Sequence, residues 1–196
     1  MNAVLTRLGF PTHPNDCYRY FVGEGTEQLI RAALPGDHLD EQTVADCLAA
    51  IRDEYSKRWA ENTKPYPGIP ELLSAMEKLS LPMTVLSNKP DEFTQLIIEK
   101  LLPHWSFEIV RGAKPSVPKK PDPTAALQIA AELSIEPQQF LYLGDTNTDM
   151  QTANLAGMYA VGVLWGFRTA HELVSAGAKV LAQKPLDVLG LLQSIS

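Results

Sequence analysis

From residue 1 to about residue 62, apolar positions recur at helical spacing and there is almost no strand signal. TEQLIRAAL places Leu29, Ile30, Ala33 and Leu34 on one stripe, and TVADCLAAIRDEYSKRW does the same with Val44, Leu48, Ile51 and Tyr55. Amphipathic helices this short need one another to bury a face. After Pro65 the pattern changes to short apolar runs, MTVLS, SFEIV, FLYLG, YAVGVL and KVLAQ, separated by helical stretches such as DEFTQLIIEKLL and PTAALQIAAEL. Such alternation predicts an α/β fold with a parallel sheet and crossover helices. The shift falls at KPYPG, and YPGIPELL reads as a hinge turning into a helix. The chain therefore divides into a helical unit, residues 1–64, and an α/β unit, residues 65–196.

Composition leaves this picture standing and removes several function classes. With 196 residues and 45% hydrophobic content, the chain is long enough for one core and a small appended domain. A net charge of -6 with scattered basic residues speaks against a nucleic-acid footprint, which shows as a basic face. No apolar stretch approaches the length of a membrane span, and residues 1 to 15 lack a signal-peptide pattern, so the expected location is the cytoplasm. Cys17 and Cys47 form no CxxC pair and read as packing residues, and the four histidines lack metal-ligand spacing.

Chemistry concentrates at FLYLGDTNTDM, residues 140 to 150. Asp145 and Asp149 stand four residues apart on a predicted strand-to-helix turn, at the strand end where open α/β sheets bind ligands; hard oxygen donors of this kind suit Mg²⁺. The competing reading is an N-capping loop whose acids favour the start of the next helix. Three other segments bear on the choice. In MTVLSNKP, Ser87, Asn88 and Lys89 end a strand before a helix, where a hydroxyl and backbone N–H groups form an anion cradle. In KKPDP, Lys120 precedes Pro121 in a proline-rich loop, and a compact ammonium suits phosphate and a nearby carboxylate. In VGEGTEQLIRAAL, Arg31 is a candidate bidentate donor to a substrate carboxylate, against the reading that it is solvated on an exposed helix face.

Ser87, Lys120, Asp145 and Asp149, in that order at strand ends and loops facing one edge, resemble the haloacid dehalogenase superfamily, and within it the phosphoglycolate phosphatase group. The likeness runs over nearly the whole chain. It implies a Rossmann-like parallel core with a small helical cap, an Mg²⁺ cofactor, and a small phosphorylated substrate such as 2-phosphoglycolate. The family's phosphoryl-binding Ser or Thr falls on Ser87, its lysine on Lys120 and its metal acids on Asp145 and Asp149. Asn88, Lys89 and Arg31 are further substrate-binding candidates. A homodimer through the sheet edge or the cap is left open, and neither nucleic acid nor membrane is expected as a partner.

One departure matters. Family members open with a strand running into D-x-D-G-T/V, whose first Asp is the nucleophile and whose second is the general acid/base, and no such motif occurs in these 196 residues. The beginning reads as a cap already under way, as though roughly twenty residues, a strand plus a loop and half a helix, had been removed. In the resembled fold that strand is central, between the strands ending in Ser87 and Gly144. The expectation is therefore that those two strands close on each other or that another segment lies between them. Two readings follow: a phosphatase working through an aspartyl-phosphate in the complete protein, or an inert remnant that binds Mg²⁺ and phosphate without turnover. Asp16 and Glu24 are the nearest substitute nucleophiles by sequence, but both lie in the predicted cap, away from the required line of attack.

Overall fold

The computed structural model describes residues 1–195 and divides into two units, Met1–Lys64 and Pro65–Ser196. The first holds α1 (Asn2–Arg7), α2 (Tyr18–Phe21), α3 (Thr26–Ala33) and α4 (Glu41–Arg58). Its core is Leu5, Ile30, Ala33, Leu34, Val44 and Cys47, with Leu29 and Ile51 partly buried against it. The α3 stripe is as expected. On α4 the buried face is rotated: Cys47 is fully buried, whereas Leu48 is 40% exposed. Val44, Cys47 and Ile51 share an i, i+3, i+7 face, and Leu48 lies at its margin. Asp40 caps α4 by accepting from the Thr43 backbone N–H at 2.9 Å.

The second unit runs α5 (Ile69–Lys78), β1 (Thr84–Pro90), α6 (Asp91–Leu101), β2 (Ile109–Ala113), α7 (Thr124–Leu133), β3 (Leu141–Gly144), α8 (Asn147–Leu155), β4 (Tyr159–Val163), α9 (Ala170–Ser175), β5 (Val180–Ala182) and α10 (Asp187–Ile195). Among the described residues every strand pairing is parallel. Side chains alternate between two covered faces, as a sheet with helices on both sides requires. Tyr142, Ala160 and Leu181 face the cluster built on Ala126, Ala130, Met150 and Leu173, while Leu141, Leu143, Val161 and Ala182 face the cluster of Leu72 and Val188.

β2 starts three residues later than the apolar run SFEIV suggests and takes in Arg111, Gly112 and Ala113. Its register against β1 (Thr84 opposite Ile109, Leu86 opposite Arg111) accommodates the arginine because its guanidinium turns out to Glu132, at 2.7 and 2.8 Å. Gly112 is required by close packing, since a Cβ there would stand 2.5 Å from the Asp91 Cα.

The strands form two sheets, β1-β2 and β3-β4-β5. Among the described residues, β1 and β3 do not close on each other, although Leu86 of β1 packs on the same apolar cluster as Tyr142 of β3. Truncating the fully buried Ile30 to Ala should lower the unfolding free energy by about 2–5 kcal/mol, read from urea denaturation; a loss below about 1 kcal/mol would mean that the α3–α4 core collapses around the change.

Candidate active site

The site is assembled where β1 and β3 end. Its central contact is an ion pair: the Lys120 Nζ donates to Asp149 Oδ1 at 2.6 Å and to the Leu86 carbonyl on β1 at 3.2 Å. The two side chains are only 11% and 9% exposed. Burial by itself would lower the lysine's pKa, but the adjoining carboxylate outweighs it and holds the ammonium's pKa above its ordinary value.

Lys120 is positioned from its backbone as well. The Asn88 amide clamps it, Nδ2 donating to the Lys120 carbonyl and Oδ1 accepting the Lys120 N–H, each at 2.9 Å. The sequence reading of Asn88 as a substrate ligand thus meets a side chain whose amide is turned onto Lys120. The Lys120–Pro121 peptide bond is cis. Ser87 lies inside β1, which continues to Pro90, so α6 starts only at Asp91 and its N-terminus is not directly behind Ser87. The Ser87 hydroxyl oxygen accepts the Lys89 N–H at 3.1 Å, which leaves its own hydrogen to donate to a ligand. For Lys89 itself, what bears on the site is this backbone N–H.

Asp149 fulfils the capping reading of the DTNTD loop. Its Oδ2 accepts from the backbone N–H of Asp145 at 3.2 Å, from that of Thr146 at 3.1 Å and from the Thr146 hydroxyl at 2.6 Å. Thr146 and Asp149 form a reciprocal capping box that starts α8. Gly144 makes room for it, because a Cβ there would stand 2.1 Å from that of Asp149. Asp145 is in a different situation. Its Oδ2 accepts the Phe167 N–H at 3.1 Å, and burial and the nearby Asp149 charge push its pKa upward. A desolvated carboxylate repelled by its neighbour fits an incoming cation, and Mg²⁺ characteristically takes one or two carboxylates and keeps several waters. Among the described residues no group of three or more His, Cys, Asp or Glu is arranged to hold a metal.

The periodicity does not reveal the loop that follows β4. There Gly166 stands against Asp145, a Cβ at 166 falling 2.2 Å from both Cβ and Oδ2 of the aspartate, and the Arg168 N–H donates to the Asp145 carbonyl at 3.2 Å. The glycine in LWGFRT was the available signal. Arg31 belongs to the other unit, where its guanidinium is held by Glu27 at 2.9 Å and Glu41 at 3.0 Å. The structure brings Ser87, Asn88, Lys120, Asp145 and Asp149 together within the second unit.

The second unit is a parallel α/β fold that carries a lysine–carboxylate pair and a second carboxylate at its strand ends. The profile of haloacid dehalogenase-like hydrolases matches residues 1–163, and the chain belongs to that family. It is similar to a phosphoglycolate phosphatase of Pseudomonas putida, 32% identical over 177 residues, which covers 88% of this chain and 65% of that relative's length. Among solved structures it resembles a predicted phosphoglycolate phosphatase from Haemophilus somnus (TM-score 0.89, 21% identity, 97% of this chain and 88% of the other). A haloacid dehalogenase-like family hydrolase from Streptococcus pneumoniae has the same fold (TM-score 0.85, 23% identity, covering 96% and 86%). No helix among the described residues is long and apolar enough to cross a membrane.

Two outcomes follow from the Asp145 surroundings. If Asp145 holds Mg²⁺, Gly166→Ala should displace the carboxylate and weaken Mg²⁺ binding by about 10–100-fold in a calorimetric titration, as loss of a supporting contact does at metal sites; unchanged affinity would mean that Asp145 does not hold the ion. Without metal, Asp145→Asn should stabilise the protein near neutral pH, because a carboxylate whose folded pKa is raised costs stability while it is ionised. The melting-temperature gap between variant and wild type should shrink as pH falls through that raised pKa; a gap constant from pH 7 to pH 4 would contradict it.

Proposed function

We propose that this chain carries the phosphate- and metal-binding half of a Mg²⁺-dependent phosphatase acting in the cytoplasm on a small phosphomonoester, with 2-phosphoglycolate as the first candidate. The observation that carries the reading is the buried Lys120–Asp149 pair beside Asp145 and Ser87. It puts a fixed positive charge, a hydroxyl donor and a carboxylate suited to a cation at one strand edge. The substrate follows from the relatives bearing the name phosphoglycolate phosphatase.

A phosphomonoester dianion repels an attacking carboxylate, so the site must first offset its charge. Lys120 does this from a position locked by Asp149 and Asn88, and Ser87 donates its hydroxyl hydrogen to a phosphoryl oxygen. Asp145 would hold magnesium directly, with Asp149 supporting the lysine and the loop, and the ion would supply further neutralisation of the phosphoryl oxygens. The helical unit serves as a cap, and its Arg31 is a substrate-binding candidate whose guanidinium is held by Glu27 and Glu41. The attacking group is an aspartate carboxylate of the D-x-D-G-T type supplied in the complete protein, and water then hydrolyses the aspartyl-phosphate. Because that motif does not occur in the 196 residues, the second reading is a chain that binds Mg²⁺ and phosphate without turnover.

The deciding measurement is phosphate release from 2-phosphoglycolate with and without Mg²⁺, with Asp145→Asn purified identically as control. Losing a covalent nucleophile removes on the order of a millionfold in rate, so turnover by this chain should not exceed the control. Magnesium-dependent turnover abolished by Asp145→Asn would mean that another group attacks. In parallel, inorganic phosphate should bind in the presence of Mg²⁺, and Lys120→Gln should weaken it by at least about tenfold, the loss of one charge-assisted contact of about 1.5–3 kcal/mol. Absence of phosphate binding would sink both readings. An in-frame D-x-D-G-T in the DNA preceding the Met1 codon favours the phosphatase, and a stop codon between the two favours the inert form.

A further inference from the structure

Tyr142 occupies the middle of β3, with its ring in the apolar cluster beneath α8 and the Lys120 ammonium 5.9 Å from the ring centroid. Its hydroxyl is buried and has no partner at full hydrogen-bond geometry, with Lys120 and Thr152 the neighbours near it. A buried hydroxyl normally finds a partner, and an aliphatic side chain would fill an apolar position without that cost. Beside it, the ammonium directs one hydrogen to Asp149 and one to the Leu86 carbonyl, which leaves the third of its three. Lys120 and Thr152 both stand close enough to influence the phenol's ionisation, and the Thr152 hydroxyl is itself directed to the Thr148 carbonyl at 2.7 Å. The ammonium is therefore the neighbour whose remaining hydrogen suits the phenol oxygen.

We infer that Tyr142 is a positioning residue for Lys120: its buried phenol oxygen is the acceptor to which the ammonium's third hydrogen turns when no anion is present, and from which it turns away when a phosphoryl oxygen arrives. The exchange costs little, because one oxygen acceptor replaces another while Asp149 and Leu86 keep their bonds. Without the phenol oxygen the ammonium sinks further onto Asp149 and presents less of its charge to a ligand. The ligand half of this inference rests on the phosphatase reading, and the placing of the ammonium does not.

The test uses the whole chain labelled with ¹⁵N-lysine. The slowly exchanging ammonium resonance of Lys120 is assigned by its absence in Lys120→Met. In Tyr142→Phe, which keeps the ring and removes only the oxygen, that resonance should shift and exchange its hydrogens with water several-fold faster, while the melting temperature stays level or rises. A resonance identical to the wild type overturns the inference. Inorganic phosphate with Mg²⁺ should then move the resonance at several-fold higher concentration in Tyr142→Phe than in wild type. Equal phosphate affinity overturns the exchange. If phosphate moves nothing in the wild type while Tyr142→Phe still alters the resonance, the phosphatase reading falls and the positioning role stands.

Discussion

The buried pair of Lys120 and Asp149 is the contact on which the site depends. It joins a loop beyond β2 to the start of α8, and through the Leu86 carbonyl the same ammonium reaches β1. Two charges taken from water are tolerable here because each has further partners, the carboxylate in the Thr146 hydroxyl and two backbone N–H groups and the ammonium in the Leu86 carbonyl. One cross-link therefore ties the β1 and β3 ends together, while the two strands belong to separate sheets and Leu86 packs on the same apolar cluster as Tyr142.

The two acids of the DTNTD loop diverge although they are four residues apart. Asp149 folds back under the loop, against Gly144, and is neutralised by lysine and capping donors. Asp145 points towards the loop after β4, where its Oδ2 accepts the Phe167 N–H, and it has a negative neighbour in Asp149. That difference in environment leaves Asp149 as the counter-ion of Lys120 and Asp145 as a carboxylate whose pKa is pushed upward. The glycines at 144 and 166 are the space that makes each arrangement feasible, since a methyl group at either would overlap a carboxylate side chain.

Much of this was legible along the chain. The βαβ alternation, the change of character at KPYPG, and the candidates Ser87, Lys120, Asp145 and Asp149 all follow from residue patterns, because strand period, helix period and turn chemistry are local properties. The misplacements have physical causes too. Arg111 hid the end of β2 because its charge is carried out to Glu132, a partner twenty-one positions away, and Leu48 was read as core where the helix face in fact turns to Cys47. Asn88 stands out in the sequence because an amide beside a strand end can serve a ligand, and its two bonds to Lys120 are a use of that chemistry that the sequence does not show.

By itself the sequence determined the class of fold, the four candidates Ser87, Lys120, Asp145 and Asp149, and the lack of a D-x-D-G-T motif in these 196 residues, since each of these is written in local spacing and residue type. Only the tertiary structure decided that Asp149 serves the capping box and the lysine at once, that Asp145 is the acid left short of compensation, that Tyr142 lies against the ammonium, and that β1 and β3 stay in separate sheets. Those outcomes depend on which groups meet across tens of residues and on how much water is left between them, quantities that no local pattern contains.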